Sequence, residues 1–111
     1  MKTLALSSAA SNNAAIITSK PAAIGSVIVS NAVAAAAFVK FYDKATVPSP
    51  GTDVPFLVVQ VPASSMQIVP LNFPVRTTTG LGIGMVTGAA DTDNTGVALA
   101  QLKVVVAYLE T

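Results

Sequence analysis

Residues 40–62 read KFYDKATVPSPGTDVPFLVVQVP, and the predicted fold is built outward from this stretch. It begins with aromatic residues, passes through a segment rich in proline, and ends in the apolar run FLVVQV. Prolines and a glycine in the middle break any regular ladder between the two apolar segments. We therefore predict two β-strands, residues 36–43 and 56–61, joined by a structured loop at residues 45–54. Phe41, Leu57 and Val59 are expected in the core.

Two structures compete at the start of the first of these strands. The alanine-rich run at residues 32–37 favours a helix by propensity, with Asn31 as a possible N-cap. The alternative is a turn followed by a strand that directs Phe41 inward and places Lys40 and Tyr42 on the opposite face. Aromatic and β-branched residues favour the strand, and the flanking chain has no other helical period. The helix stays open as the alternative.

Five other segments carry β-branched residues, or the alternation of side chains between two faces, that is typical of β-strands. They are residues 14–20, 23–31, 66–71, 80–88 and 101–109. The short spacing between residues 56–61 and 66–71 predicts a hairpin. The whole pattern predicts an all-β fold, an antiparallel β-sandwich or jelly roll of seven or eight short strands.

The domain organisation is simple. A chain of 111 residues has the length of one domain. We assign residues 14–111 to a single β-sandwich domain and residues 1–13, which are small and polar, to an N-terminal arm. The arm is either frayed or ordered against a neighbouring subunit. Its apolar part is too short for a signal peptide, so no export signal is expected.

The composition points to an assembly. Only 10% of the residues are charged and 52% are hydrophobic, whereas a soluble domain has about 25% charged residues. Some strands are apolar on both faces, for example Ile28 opposite Val27 and Val105 opposite Val104. We therefore predict that other subunits cover much of the outer surface, with an alanine-rich soluble domain, whose alanines inflate the hydrophobic count, as the alternative. The net charge of +1 is too small for nucleic-acid binding, and no apolar run approaches the about 20 residues of a membrane span.

The sequence offers little catalytic or ligand-binding chemistry. It contains no histidine and no cysteine, which excludes nucleophilic triads built on those residues, and we predict no enzyme and no cofactor. Gly82 and Gly84 lie within a strand pattern, where they leave room for a close neighbour rather than for a nucleotide. Asp91 and Asp93 match a calcium loop only in part, so a solvated turn is expected and no metal.

Candidate contact residues come from the loop and from the two-sided strands. Lys44 lies in a small charge cluster with Lys40 and Asp43, which we interpret as a surface ion pair, with an intersubunit contact as the alternative. The loop at residues 47–54 is the part expected to touch a neighbour. The predicted interface residues are Tyr42, Lys44, Val47, Pro48, Pro50, Asp53 and Val105.

Short motifs in two regions of the chain carry a family resemblance. Residues 42–46 (YDKAT), 50–53 (PGTD) and Pro55 precede the apolar strand, and residues 79–83 (TGLGI) and 88–91 (GAAD) follow later. Across roughly residues 14–109 the chain resembles a family of small virion proteins encoded by tailed phages and prophages, of the capsid decoration or cement type. It differs from them in its alanine run, where more polar residues are usual.

The resemblance implies a function and partners. It implies a non-enzymatic β-sandwich protein on the phage head surface, made in the host cytoplasm. Such a protein binds across subunits of the major capsid protein and associates with itself, as a trimer in many similar proteins. The alternative hypothesis is a receptor- or carbohydrate-binding module of a head or tail fibre, which would use Tyr42 and the loops at residues 48–53 and 91–96.

Overall fold

Within residues 1–110, eight β-strands form two packed sheets. The computed structural model describes the backbone of residues 1–110 and the side chains of all of these except residues 72–74. Both sheets are four-stranded and antiparallel, in the order β1-β8-β3-β6 for the first and β2-β7-β4-β5 for the second. The predicted all-β antiparallel sandwich is therefore confirmed, while Thr111, the last residue of the predicted domain, lies outside the described residues. The strands are β1 (Lys2–Ser7), β2 (Ala15–Thr18), β3 (Ala22–Asn31), β4 (Ala37–Tyr42), β5 (Leu57–Val61), β6 (Met66–Arg76), β7 (Leu81–Val86) and β8 (Leu102–Glu110).

The two halves of the chain pair with each other like a long hairpin. β1 pairs with β8, β2 with β7, β3 with β6 and β4 with β5, each time antiparallel. This ribbon then folds over, so that β3 also pairs with β8 and β4 also pairs with β7. The loop between β4 and β5 forms the closed tip of the ribbon. The stretch that decided the sequence prediction thus occupies the turning point of the whole chain.

The core lies between the sheets and follows the alternation of the strands. Val27 and Val29 of β3 are fully buried, as are Val39 and Phe41 of β4. Val59 is also buried, so this part of the predicted core is confirmed. Further core side chains come from β7 and β8, namely Leu81, Ile83, Met85, Leu102, Val104, Val106 and Tyr108, and Leu57 packs against them while partly buried.

The alanine run begins as a turn and not as a helix. The Asn31 side chain accepts a hydrogen bond from the backbone N–H of Val33 at 3.0 Å and donates one to the carbonyl of Ala35 at 2.8 Å. This local pairing competes with a helical path. β4 then begins at Ala37. The strand alternative is confirmed, and the helix alternative is wrong.

The predicted hairpin between residues 56–61 and 66–71 is wrong. β5 and β6 lie in different sheets, so the chain crosses from one sheet to the other at residues 62–65. The backbone N–H of Asn31 donates to the carbonyl of Ser65 at 2.7 Å, which ties the end of this crossing to β3. A short connection in a sandwich serves equally well as a hairpin turn or as an arch between sheets, and the local sequence does not separate the two.

The first residues also differ from prediction. Instead of an arm outside the sandwich, residues 2–7 form β1 at the edge of the first sheet, in register with β8 from Lys2 opposite Tyr108 to Ser7 opposite Lys103. Ser8 is buried, and its hydroxyl donates to the carbonyl of Ala98 at 2.8 Å. The β8 ladder supplies the order that the small side chains of this segment do not indicate by themselves.

The depth of Phe41 in the core gives a stability prediction. Replacing it (Phe41→Ala) removes a fully buried ring, and we expect a loss of about 3–5 kcal/mol in the free energy of unfolding. The matched control is Phe56→Ala at a side chain that is 36% exposed, for which a loss of under about 2 kcal/mol is expected. Urea denaturation measures both, and equal losses would contradict the assigned core.

Candidate functional site

The loop between β4 and β5 folds back onto the outer face of the second sheet. Its prolines cover the two glycine positions of β7. A Cβ atom placed on Gly82 would lie 2.9 Å from Cδ of Pro48, and one placed on Gly84 would lie 3.0 Å from Cγ of Pro50. The distance at Gly82 is shorter than real Cβ contacts, and the distance at Gly84 is at their tight end, so glycine at these positions lets the loop lie this close. The predicted close neighbour of the glycine face is therefore the chain's own proline loop.

An ion pair and backbone hydrogen bonds hold the loop in shape. Lys44 Nζ lies 2.7 Å from Oδ2 of Asp53, and the same oxygen accepts a hydrogen bond from the backbone N–H of Ser49 at 2.7 Å. The hydrogen bond from Lys44 is the main cause that lowers the pKa of Asp53. At the tip, Gly51 has φ of +93°, a conformation that favours glycine. The loop is thus a structured element rather than a flexible connection.

The Asp43 carboxylate fastens the start of the loop to the segment before β7. It accepts hydrogen bonds from the backbone N–H groups of Thr78 and Thr79, each at 2.9 Å, and from both hydroxyls. Burial alone raises the pKa of Asp43, but these hydrogen bonds outweigh it and hold the pKa well below its ordinary value. The carboxylate thereby replaces backbone partners that the threonine segment lacks.

Two polar side chains lie beneath the loops. Lys40 and Tyr42 point to the outer face of the second sheet, as predicted, yet both are buried. Lys40 Nζ donates to the carbonyl of Ala90 at 2.5 Å, and the hydroxyl of Tyr42 has no hydrogen-bond partner among the described residues. Burial, with the nearby charges of Asp53 and Asp91, raises the pKa of Tyr42. The predicted surface cluster of Lys40, Asp43 and Lys44 is wrong, because each of the three binds a different partner.

The predicted interface residues divide into three groups. Tyr42, Pro48 and Pro50 are buried within the chain's own fold and are unavailable to a partner, which corrects the prediction for these three. Lys44 and Asp53 are partly exposed but bind each other.

Two of the predicted interface residues keep a free surface. Val47 is exposed in the loop, and Val105 is exposed on the outer face of the first sheet. These two therefore carry what is left of the predicted interface.

A second loop, residues 87–97, completes the cover of the second sheet. Asp93 accepts a hydrogen bond from the backbone N–H of Thr95 at 2.7 Å, the geometry of a simple Asx turn. Its carboxylate also lies where a side chain on Gly88 would be.

Among the described residues there is no cluster of three or more acidic side chains suited to a metal ion. None of these residues lies in a helix of membrane-spanning length and hydropathy.

The outer face of the first sheet carries an apolar row that its own loops leave open. Four residues lie directly opposite one another across the strands: Ala5 opposite Val105, Val105 opposite Ile28, and Ile28 opposite Ile68. Val105 is 37% exposed, Ile28 39% and Ile68 61%. An in-register row of apolar side chains across a whole sheet face is typical of a contact surface. We call these four residues the apolar row.

The surroundings of the apolar row are nearly uncharged. In the next register toward one end lie Ser7, Lys103, Ser30 and Met66, of which Lys103 is the one charged residue. A shallow depression lies beside β1, lined by Ala5, Leu6 and Ser7 together with residues 103–105 of β8. Sequence reasoning found Val105 and noted Ile28 as apolar on both faces. It missed Ala5 and Ile68, which only the strand register brings into line.

Comparison of the chain with protein-family models, with curated proteins and with solved structures found no match. The function is therefore inferred from the two surfaces described above: a second sheet covered in large part by loops and a first sheet with an open apolar face.

The hydrogen bonds of Asp43 predict a pH-dependent contribution to stability. Because the folded pKa is lowered, the stabilisation is present above the unfolded pKa of about 3.9 and is lost as the pH falls toward the folded pKa. At pH 7 we expect Asp43→Asn to lower the free energy of unfolding by about 1–2 kcal/mol, discounted for the exposure of the carboxylate. Urea denaturation between pH 7 and pH 2.5 should show the difference shrinking below about pH 4.

The control for that series is Asp91→Asn, whose carboxylate makes no hydrogen bond to a described residue. We expect it to leave stability within about 0.5 kcal/mol at every pH. A deficit of Asp43→Asn that stays constant or grows toward pH 2.5 would contradict the assigned role of the carboxylate.

The unpartnered hydroxyl of Tyr42 makes the opposite prediction. A buried hydroxyl without a hydrogen bond is destabilising, so Tyr42→Phe should raise the free energy of unfolding by about 1 kcal/mol. Thermal and urea denaturation check this directly. A loss of stability would show that the hydroxyl has a partner, such as an ordered water molecule.

Proposed function

We propose that this protein is a non-enzymatic structural component of a phage virion, a decoration protein that binds across subunits of the major capsid protein on the head surface. The observation that carries the proposal is the open apolar row on a nearly uncharged sheet face. The resemblance at residues 42–55 and 79–91 supplies the identity of the partner. A role of this kind needs surface complementarity and rigidity, and it needs no reactive group.

The apolar row supports an interface because of what surrounds it. Flat β-sheet faces that stay in water are usually polar on the outside. Here Ile28 and Val105 occupy the middle of the face, with Ile68 and Ala5 to either side. Burying one such branched side chain against a partner stabilises the contact by about 1.5–3 kcal/mol. Three such side chains in one row give a capsid contact an apolar centre.

The strand order supports a virion protein in a second way. The pairing of β1 with β8, β2 with β7, β3 with β6 and β4 with β5 is that of a rolled eight-stranded ribbon. We infer that the sandwich is a jelly roll, an architecture that occurs in viral capsid domains and in lectins. The architecture alone is therefore compatible with both the capsid role and the carbohydrate-binding alternative.

The carbohydrate-binding alternative has less support. It depended on Tyr42 as an exposed aromatic ring, but that side chain is buried under the proline loop. The loops at residues 48–53 and 91–96 contact each other, since a Cβ on Gly51 would lie 3.1 Å from Cβ of Asn94. They close over the sheet and leave no aromatic platform there for a sugar ring.

The copy number of the protein in purified virions tests the proposal. Quantitative mass spectrometry against the major capsid protein should give hundreds of copies per particle, located on the head. A dozen copies or fewer, or a location on the tail, would contradict the proposed capsid role. Binding of the purified protein in a glycan array would favour the alternative.

A variant pair tests the apolar row itself. Ile28→Glu places a charge at the centre of the face and should reduce binding to heads that lack the protein by at least about tenfold, because a buried unpaired charge is costly. Val54→Glu introduces the same charge at a loop residue that is 72% exposed and should bind like the unmodified protein. Equal binding by both variants would mean that the head contact lies elsewhere.

A further inference from the structure

Of the four strands at the sheet edges, three are protected against pairing with another chain. An exposed edge presents unpaired backbone groups and invites a further strand unless it is short, bulged or interrupted by proline. β2 is only four residues long and has a register shift between Ile16 and Thr18. β5 is confined between Pro55 and Pro62. β6 carries Pro70, which has no N–H to offer.

The fourth edge strand, β1, has none of these protections. It runs from Lys2 to Ser7 without proline, and its register with β8 is unbroken. A lysine on an edge strand often keeps other strands away. Here Lys2, the one charged residue of the strand, forms an ion pair with Glu110 of the same subunit. Its charge is therefore already compensated within the chain.

The backbone of β1 shows which groups are free. The N–H of Ser8 donates to the carbonyl of Leu102 at 2.9 Å, which fixes the phase of the ladder with β8. Antiparallel ladders alternate between bonded and non-bonded positions. Every second residue before Ser8 therefore turns its backbone groups toward β8. Thr3, Ala5 and Ser7 turn theirs away from it, toward the open edge.

We propose that β1 pairs antiparallel with β1 of a second copy of this chain, about a two-fold axis at Ala5. In this register Ala5 lies opposite Ala5 of the partner subunit, and Thr3 lies opposite Ser7 of the partner subunit. All three outward-facing residues then occupy hydrogen-bonded positions, and each opposed pair exchanges two backbone hydrogen bonds. The first sheet becomes one eight-stranded sheet that spans both subunits.

The side chains agree with this register. The two alanines at the axis are small, and the hydroxyls of Thr3 and Ser7 meet as a polar pair. Lys2 falls opposite Ser8 of the partner subunit, so no like charges oppose each other. On the inner side Leu4, which is partly buried against the core, gains contact with Leu6 of the partner subunit. The apolar row ends at Ala5, so the two-fold axis joins both rows into one.

A second copy is the occupant because the edge is complementary to itself. Isologous two-fold contacts require that one patch match its own copy, and the register centred on Ala5 meets that requirement with its backbone groups and its side chains. The contact concerns the edge of the sheet and not its face, and it does not depend on the virion role proposed above. The trimer that the family resemblance implies would leave this pairing unmade.

The mass of the purified protein in solution tests the contact. Light scattering after size exclusion should give roughly twice the 11.2 kDa of one subunit. Ala5→Pro removes the N–H at the axis and no hydrogen bond within the subunit, so it should give the mass of one subunit while the protein stays folded. The matched control is Met66→Pro on the outer edge of β6, which should keep the doubled mass. A trimer, or a monomer without any substitution, would overturn the proposal.

Single cysteines test the register even if Ala5→Pro fails to fold. The chain has no cysteine of its own. Across the axis the two Cα atoms at position 5 should lie about 5.5 Å apart, within the range of a disulfide. The two at position 7 are displaced by four residues along the strands, or about 13 Å. Under mild oxidation Ala5→Cys should form a dimer and Ser7→Cys should not, and equal cross-linking of both would contradict the two-fold pairing. Dimers of Ser7→Cys alone, or none in either variant, would contradict it as well.

Discussion

The proline loop packs on the glycine face of β7, and the other features of the structure follow from this contact. Pro48 and Pro50 approach positions where Gly82 and Gly84 leave no side chain, and Tyr42 lies buried beneath them. This contact joins the tip of the long ribbon to the strand beside β4, and it covers much of the outer face of the second sheet, where Val58 of β5 stays 40% exposed. The outer face of the first sheet keeps the apolar row exposed.

The sequence predicted β3 and β8 of the first sheet well because their alternation is local. Val27 and Val29 alternate with Ile28, and every second residue of β8 is apolar. The same alternation placed Lys40 on the outer side of β4, but it said nothing about its burial. The Lys40 ammonium group bonds the carbonyl of Ala90, which is distant in sequence. A period of two identifies the faces of a strand, and only the tertiary fold decides what covers each face.

The failures share a physical reason. Residues 2–7 carry little apolar volume, and their order comes from the β8 ladder at the other end of the chain. The crossing at residues 62–65 has the length of a hairpin turn, but the hydrogen bond from Asn31 to Ser65 holds its end beside β3. In both cases a hydrogen bond between remote parts of the chain decides the outcome. The candidate surface was missed in the same way, because Ala5 and Ile68 become neighbours of Val105 and Ile28 only through strand register.

The low charge of the chain follows from this arrangement. A sandwich normally needs two polar outer faces, yet here loops cover much of the second sheet, which therefore requires few charges. The first sheet presents the apolar row to water, with Lys103 beside it as the one nearby charge. An outer face of this kind is stabilised when a partner covers it. Composition, register and loop cover together support the proposal that a partner covers the outer face of the first sheet.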